Sequence, residues 1–244
     1  MLGLPDGVSA CLFDMDGVVT RTAVVHAAAW KEMFDDFLRD WSSKTGTAFV
    51  PFDPAHDYDE YVDGKPRLDG IRSFLGSRSI SLPEGSDSDP PGTPTVRGLG
   101  NRKNDLVVEM LKRDGVEVYE GSRRYITAAR AAGLRTAIVS SSANTVAVLA
   151  AAGIAGLFDA RVDAQVAAER GLKGKPAPDT FLEAARMLGV GHEQAAVFED
   201  ALAGVAAGHD GGFGFVVGVD RVGQAEALRA HGADVVVKDL AELL

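Results

Sequence analysis

Short apolar runs alternate with helical segments along most of this chain, and this alternation restricts the folds that the chain can adopt. Each run is brief and rich in Val, Ile or Phe, as in strands that are buried on both faces of a sheet. The runs are Ala10–Asp14, Thr136–Ser140, Ala195–Phe198, Gly214–Val219 and Asp234–Val237. The helical segments are Ser122–Ala132, Ala143–Ala152, Pro178–Leu188, Ala201–Ala207 and Gln224–Ala230. The alternation predicts an α/β fold with a doubly wound parallel sheet.

The segment from about Arg21 to Arg113 interrupts this alternation and predicts an inserted all-helical cap. Its helical patterns, with no convincing strand between them, are His26–Trp41, Tyr58–Val62, Leu68–Ser77 and Asn104–Lys112. Residues 83–100 are dense in Pro, Gly, Ser and Thr, which predicts a mobile loop inside the insertion. We therefore expect an α/β core domain at residues 1–21 and 114–244, and a cap domain at residues 22–113.

The composition argues against several classes of protein. The formal net charge of −10 disfavours general nucleic-acid binding, because neutralising phosphates requires clustered Lys and Arg. Cys11 is the only cysteine, so it can form neither an intramolecular disulfide nor a thiolate metal cluster, and its apolar surroundings predict a buried thiol. Neither a signal peptide nor a membrane-spanning run is visible. We expect a cytoplasmic protein without a membrane partner, and a monomer is compatible with the sequence.

Carboxylates follow two of the predicted strands. In a doubly wound sheet, ligands bind beyond the carboxyl ends of the strands. Asp14 and Asp16 end the first strand, where one carboxylate can attack phosphorus while the other acts as general acid and base. Glu199 and Asp200 follow a later strand, and their oxygen ligands suit Mg²⁺. Taken alone, either pair could be a solvated turn or the start of a helix.

Hydroxyl groups and a lysine are expected at two further strand ends. The Ser140–Ser142 run can bind an anion through hydroxyl and backbone N–H groups, although Ser142 or Asn144 could simply cap the next helix. Lys175 lies in the proline-stiffened segment Lys173–Asp179 and can neutralise a phosphate and a nearby carboxylate. The alternative for Lys175 is an ordinary solvated lysine in a loop.

The order of these signals is more specific than any one of them. Two Asp, then Ser, then Lys-Pro, then Glu-Asp at successive strand ends would converge on one crevice. Together they supply a nucleophile, an acid/base group, a phosphate cradle, a counter-charge and a metal site, which are the parts that phosphoryl transfer needs. The sequence therefore predicts a Mg²⁺-dependent phosphotransfer enzyme with Asp14 as its nucleophile.

The motifs resemble those of the haloacid dehalogenase superfamily, over the whole chain and in the same order. Within that superfamily the chain is similar to the β-phosphoglucomutase-like branch. The positions that carry the likeness are Asp14, Asp16, Gly17, Val18, Thr22, His26 and Trp30. The segments Lys175–Asp179 and Glu199–Gly204 match the two closing motifs of the branch.

The resemblance implies a role for each matching residue. Asp14 would be the nucleophile and a metal ligand, and Asp16 the general acid/base, whose backbone carbonyl also binds Mg²⁺. Glu199 and Asp200 would complete the metal site. The residues implied to hold the transferring phosphoryl group are Ser140, Ser141 and Lys175, with Asn144 nearby. The residues implied to contact substrate in the cap or beside it are Thr22, His26, Trp30, Gly64, Arg67, Lys103 and Asn104.

Two of the cap residues receive more particular roles from the same resemblance. Arg67 would grip the phosphate of the sugar that is not reacting. His26 would couple closure of the cap to Asp16, and it lies four residues after Thr22 and four before Trp30. These three side chains share one helix face if the helix extends that far.

The resemblance implies conversion of β-D-glucose 1-phosphate to glucose 6-phosphate through an aspartyl phosphate and a glucose 1,6-bisphosphate intermediate. Two alternatives remain open at this point. A Mg²⁺-dependent sugar-phosphate phosphatase would use the same residues but let water complete the reaction. A phosphate-binding module without activity would lack the nucleophile, whereas Asp14 and Asp16 are both present.

Overall fold

The computed structural model describes residues 2–244, and this part of the chain forms one parallel sheet and nine α-helices. The strands are β1 (Ala10–Phe13), β2 (Arg135–Val139), β3 (Ala160–Val162), β4 (Ala195–Glu199), β5 (Phe215–Val219) and β6 (Val235–Val237). The helices are α1 (Ala23–Thr45), α2 (Arg67–Ser77), α3 (Val96–Asp114), α4 (Glu120–Ala131), α5 (Thr145–Ala151), α6 (Ala164–Arg170), α7 (Asp179–Leu188), α8 (Leu202–Asp210) and α9 (Ala225–Ala230).

The chain divides into two compact units. The core unit contains the chain up to Thr22 together with Val116–Leu244, and it includes all six strands. The helical unit is Ala23–Gly115, and it contains α1, α2, α3 and a short π-helical turn at Tyr58–Val62. No strand occurs in the helical unit, all of whose residues are described.

The sheet of the core unit has the strand order β3-β2-β1-β4-β5-β6, and every neighbouring pair is parallel. The chain begins in the middle at β1, proceeds to the β3 edge, and returns to the other side of β1 at β4. The winding therefore reverses between β1 and β4, and ligands bind beyond the carboxyl ends of strands at such a point. The predicted doubly wound parallel sheet is confirmed.

The apolar pattern predicts neither β3 nor α6. Strand β3 is only three residues long and lies at the edge of the sheet, where Val162 is buried but Ala160 and Arg161 are only half-buried. An edge strand of this length contains too few apolar residues to produce a pattern. Helix α6 has no fully buried residue, so its sequence carries no apolar stripe either.

Helix α3 begins inside the segment that was predicted as a loop. Thr95 caps the helix, since its Oγ1 accepts a hydrogen bond of 2.9 Å from the backbone N–H of Gly98. Val96 and Leu99 of the first turn are buried in the core of the helical unit. The loop prediction is therefore wrong for residues 96–100, because two glycines in the first turns of the helix conceal its apolar face.

Each unit has its own apolar core. In the helical unit, Phe34 stacks between Trp30, Phe52 and Phe74, with ring centroids 4.1–5.3 Å from that of Phe34. In the core unit, the two central strands β1 and β4 are buried along their whole length. Among residues 2–244, no helix has both the length and the apolar character needed to cross a membrane.

Candidate active site

Three carboxylates and one ammonium group meet where β1 and β4 end. Asp14 directly follows β1, Glu199 is the last residue of β4, and Asp200 comes next. All three are buried, and their carboxylate oxygens lie within 4.8 Å of one another. The Nζ of Lys175 contacts Asp14 and donates a hydrogen bond of 2.6 Å to Glu199 Oε1. The fold thus brings together residues that are far apart in the chain.

Lys175 reaches the site from a loop and not from a strand end. The loop connects α6 to α7, so the expected position of Lys175 after a strand is wrong. The residue is only 2% exposed, which excludes the alternative of a solvated loop lysine. Its Nζ also lies 3.3 Å from the carbonyl oxygen of Val139, the last residue of β2, so one ammonium group contacts the ends of three neighbouring strands.

The charge of this cluster suits a divalent cation. Asp14, Glu199 and Asp200 carry three negative charges when ionised, and Lys175 supplies one positive charge. Buried charges are costly unless they are paired or bind a metal. A divalent cation would balance the remaining two charges, and an all-oxygen donor set is the kind that Mg²⁺ prefers. The residues that are present therefore fit a Mg²⁺ ion.

Burial shifts the proton affinity of both partners in the central ion pair. Burial raises the pKa of Asp14, the Lys175 ammonium lowers it and the Glu199 carboxylate raises it again, so that the net direction is upward. For Lys175, burial alone lowers the pKa, but the attraction of Asp14 and Glu199 outweighs burial and raises it. Lys175 therefore remains charged beside the predicted nucleophile.

Two glycines permit the close approach of these carboxylates to the backbone. A Cβ atom on Gly17 would clash with the carboxylate of Asp200, and Gly17 also has a positive φ of 86°. A Cβ atom on Gly204 would likewise clash with the carboxylate of Glu199. Any larger residue at either position would displace an acid of the cluster.

The serine segment lies at the end of β2, next to β1 in the sheet. Ser140 is buried, and its Oγ accepts a hydrogen bond of 3.1 Å from the N–H of Ser142. Ser142 Oγ in turn accepts from the N–H of Asn144 at 3.1 Å, whereas Asn144 makes no capping bond through its own side chain. Of the two candidate caps, Ser142 is thus the one that bonds the start of α5. Ser141, which lies between Ser140 and Ser142, is half-buried.

Asp16 is half-buried and accepts a hydrogen bond from one of two neighbouring threonines. Thr22 Oγ1 donates a hydrogen bond to Asp16 Oδ1 and lies 2.6 Å from Thr20 Oγ1. Helix α1 begins only at Ala23, so the helix does not extend far enough for Thr22 to share a face with His26 and Trp30. It belongs to the core unit, because the chain leaves the β1 turn through Thr20 and Thr22 before the helix starts.

Three predicted substrate contacts meet inside the helical unit. Lys103 Nζ lies 2.7 Å from His26 Nδ1 and 4.7 Å from the centroid of the Trp30 ring. An ammonium group can only donate a hydrogen bond, so His26 Nδ1 is the acceptor in this contact. Lys103 is buried, while its neighbour Asn104 is half-buried.

Arg67 is the first residue of α2, and Gly64 lies in the turn three residues before it. The Nε of Arg67 is buried and has no hydrogen-bond partner among residues 2–244. Burial lowers the pKa of Arg67, and the carboxylates of Asp105 and Asp87 act against this effect. A buried donor without a partner costs free energy, and an acceptor oxygen of a ligand would remove that cost.

Two polar groups at strand ends were missed by the sequence analysis. Asp163 follows β3 and caps α6, since its Oδ1 accepts from the N–H of Val166 at 3.0 Å, which is a structural role. Arg221 follows β5 and donates a hydrogen bond of 2.7 Å to the carbonyl oxygen of Gly17. The signal for Arg221 was available, because it is a charged residue only two positions after the end of an apolar strand.

Comparison with known proteins identifies related chains. Residues 8–212 match the haloacid dehalogenase-like hydrolase family. The chain is 59% identical to a β-phosphoglucomutase of Mycobacterium bovis, over 100% of this chain and 94% of that protein. It is 30% identical to a β-phosphoglucomutase of Bacillus subtilis, over 97% and 92% of the two chains. The crystal structure of a β-phosphoglucomutase from Clostridium difficile is similar with a TM-score of 0.74, at 26% identity over 97% and 93% of the two chains.

The fold, the acidic cluster and these similarities agree with each other. The doubly wound sheet places Asp14 and Glu199 beside each other at the point where the winding reverses. The related chains align over nearly the whole length of this one, the helical unit included. The resemblance inferred from the motifs is confirmed: the chain belongs to the haloacid dehalogenase-like hydrolase family, in the branch that contains the β-phosphoglucomutases.

Proposed function

We propose that this chain interconverts β-D-glucose 1-phosphate and glucose 6-phosphate. The observation that carries the proposal is the buried Asp14 carboxylate, held against the Lys175 ammonium beside two further carboxylates at the β1–β4 crevice. The identity of 59% to proteins named β-phosphoglucomutase supports this choice of substrate. The core unit supplies the reacting groups, and the helical unit acts as the cap.

In the proposed reaction Asp14 carries the phosphoryl group between two positions of the sugar. An oxygen of Asp14 attacks the phosphorus of glucose 1,6-bisphosphate, the bond from phosphorus to the sugar oxygen breaks, and Asp16 protonates that oxygen. A hydroxyl group of the next glucose 1-phosphate then attacks the aspartyl phosphate while Asp16 removes its proton. The resulting bisphosphate reorients and returns its other phosphate to Asp14, which leaves glucose 6-phosphate.

The cofactor in this proposal is Mg²⁺. It would be held by the carboxylates of Asp14, Glu199 and Asp200 and by the backbone carbonyl of Asp16, and it would supply positive charge beside the phosphoryl oxygens. Glu199 also accepts hydrogen bonds from Lys175 and from the N–H of Ala201 at 2.9 Å, so it anchors the lysine as well.

The remaining groups would bind and orient the sugar phosphate. Ser140, Ser141 and Lys175 hold the transferring phosphoryl group, with Asn144 nearby. The role of Arg67 is to bind the second phosphate, which its unpartnered buried Nε supports. The other contacts assigned to the substrate are Thr22, His26, Trp30, Gly64, Lys103 and Asn104.

A charged sugar phosphate does not enter an apolar bilayer, and we assign the enzyme to the cytoplasm.

A product assay tests the proposal. The protein is supplied with β-glucose 1-phosphate, Mg²⁺ and a trace of glucose 1,6-bisphosphate, and both glucose 6-phosphate and free phosphate are measured. We expect glucose 6-phosphate without a matching amount of free phosphate. Free phosphate as the main product would instead identify the phosphatase alternative, in which water attacks the aspartyl phosphate. The same assay with other sugar 1-phosphates measures the specificity.

A further inference from the structure

Arg221 links the end of β5 to the turn that follows β1. Its Nε donates to the carbonyl oxygen of Gly17 at 2.7 Å, and a second guanidinium nitrogen lies 3.4 Å from the carbonyl oxygen of Val18. The guanidinium carbon lies 3.6 Å from the centroid of the Tyr119 ring, in a cation–π contact. Only 14% of the side chain is exposed. Arg221 lies beyond the residues that match the family, which end at 212.

The turn that Arg221 holds contains the backbone carbonyl proposed to bind Mg²⁺. The N–H of Gly17 donates to the carbonyl oxygen of Thr20 at 2.8 Å. Because the two groups of a trans peptide point in opposite directions, this bond directs the Asp16 carbonyl away from Thr20. The bond from Arg221 to the Gly17 carbonyl holds the next peptide, so both peptides that flank Gly17 are restrained.

A second side chain of the same loop holds the other metal-binding segment. Gln224 Nε2 donates a hydrogen bond of 3.0 Å to the backbone carbonyl of Asp200. The loop itself is braced by Asp220, whose Oδ1 accepts from the N–H groups of Gly223 and Gln224 at 2.7 and 2.8 Å. The loop after β5 therefore contacts the segments that follow β1 and β4, although no residue of this loop belongs to the acidic cluster.

We propose that Arg221 and Gln224 are positioning residues for the metal site, which keep the Asp16 carbonyl and the Asp200 carboxylate at the separation that binding requires. This inference rests on the metal site of the proposed function. Mg²⁺ demands nearly octahedral geometry, so small displacements of its ligands weaken binding. Groups that orient metal ligands typically contribute about 10- to 100-fold to metal affinity or activity.

Arginine is required for this role by geometry. One guanidinium reaches the Gly17 carbonyl and, through NH1, the carbonyl oxygen of Lys238 at 2.7 Å, while its face covers Tyr119. A lysine ammonium is a point charge without the planar fork, and cannot make these contacts together. The contact with Lys238 also stabilises the fold, so the test must separate metal affinity from stability.

The test is a calorimetric titration of the whole protein with MgCl₂ in the absence of substrate. We expect Arg221→Met to weaken Mg²⁺ binding by about 10-fold or more, and Arg221→Lys and Gln224→Leu to weaken it by at least about 3-fold. The melting temperature of each variant is measured in parallel. In the product assay these variants should need more Mg²⁺ for half-maximal rate, while KM for the sugar phosphate at saturating Mg²⁺ stays near the wild-type value.

Arg21→Met is the matched control. Arg21 lies over the same Tyr119 ring at 4.7 Å, but its side chain pairs with Glu117, and we expect unchanged Mg²⁺ affinity. Wild-type Mg²⁺ affinity in folded Arg221→Met overturns the proposal, as does equal weakening in Arg21→Met. If Arg221→Met does not fold, wild-type affinity in both Arg221→Lys and Gln224→Leu overturns it. The titration contains no sugar, so a failure of the mutase proposal in the product assay leaves this result readable.

Discussion

Asp14 is the proposed nucleophile, yet it lies at a position that is unfavourable for a charged group. Its carboxyl group is buried, and its pKa is raised above the ordinary value of 3.8. A carboxyl group whose pKa is raised on folding contributes stability at low pH and loses that contribution as pH rises through the folded value. Burial without a metal therefore disfavours the ionised form of Asp14, although the reaction requires that form.

Replacing Asp14 by asparagine is expected to abolish turnover and to stabilise the metal-free protein. The variant loses the nucleophile, so we expect kcat to fall by about 10³-fold or more. It also removes one of three acids that share one ammonium, which we expect to raise the melting temperature in EDTA by about 2 °C or more. Asp163→Asn is the control, because Asp163 pairs with Arg161 and caps α6, so its loss should not raise the melting temperature. Turnover near the wild-type rate excludes Asp14 as nucleophile.

Cys11 offers a probe of unfolding from the centre of the sheet. Its thiol is fully buried in β1, and burial raises its pKa to about 12. The thiolate is the reactive form, and at pH 8 its fraction is only about 10⁻⁴ in the native protein, against about 0.2 for an ordinary cysteine. We expect a disulfide reagent to label the native protein at least about 10³-fold more slowly than the protein in guanidinium. Rapid labelling of the native protein would contradict this burial.

At the scale of elements, the turn after β1 connects the sheet to the chemistry. The strand ends with Phe13, and the chain then reverses through Gly17 so that Asp14 and Asp16 both remain near the carboxyl ends of the strands. Gly17 is needed for two separate reasons, a positive φ and the absence of a Cβ atom beside Asp200. Gly133, which follows α4, has nearly the same positive φ, but a Cβ atom there would meet no neighbour.

Gly17→Ala and Gly133→Ala form a matched pair that separates these reasons. The two glycines have φ values of 86° and 85°, and a Cβ atom on Gly133 has no neighbour within 4 Å. Each substitution should cost about 1–2 kcal/mol of stability, because the left-handed conformation is strained for alanine. Only Gly17→Ala should also lower kcat/KM, by about 100-fold, since it displaces Asp200. Equal activity losses in the two variants would contradict a special role for Gly17.

At the scale of the whole molecule, the sheet and the insertion contribute different groups. The strand order of the sheet assembles the central ion pair, and the insertion contains other predicted substrate contacts. The strand order brings Lys175 against Asp14 across 161 positions of sequence, so the central ion pair exists only in the folded core unit. The helical unit has an independent aromatic core, and it contains Arg67, Lys103 and His26. A chain that transfers phosphate between two positions of a sugar must bind two phosphates, and Arg67 is the residue that we propose for the second one.

Arg67→Ala should distinguish the binding of the second phosphate from the chemistry. A charged hydrogen bond contributes about 1.5–3 kcal/mol, so kcat/KM for β-glucose 1-phosphate should fall by about 10- to 150-fold. Hydrolysis of acetyl phosphate, which has no second phosphate, should be unchanged. Arg72→Ala is the control, because Arg72 lies in the same helix and pairs on the surface with Glu84 and Asp69. Loss of acetyl phosphate hydrolysis in Arg67→Ala would place Arg67 in the chemical step.

Local patterns in the sequence were sufficient to predict the parallel sheet, the helical insertion and the acids at the ends of β1 and β4. Buried central strands must be apolar, so the apolar pattern of the sequence is strong at these strands. Acids that directly follow such a strand are easy to recognise, because they differ sharply from the apolar residues before them. The same patterns did not reveal β3, which is short and half exposed at an edge, or the start of α3, where glycines conceal the apolar face.

Contacts between segments that are distant in sequence could be identified only in the folded structure. Lys175 was expected after a strand, but it enters from the α6–α7 loop, and Arg221 had no expected role at all. Thr22 would have shared a helix face with His26 only if the helix extended that far, but it bonds Asp16 in the turn before α1. The sheet is hydrogen-bonded between segments far apart in sequence, and that pairing brings such loops together. Residue types and their order thus indicate the chemistry, whereas the choice of partner for each charge follows from the winding of the sheet.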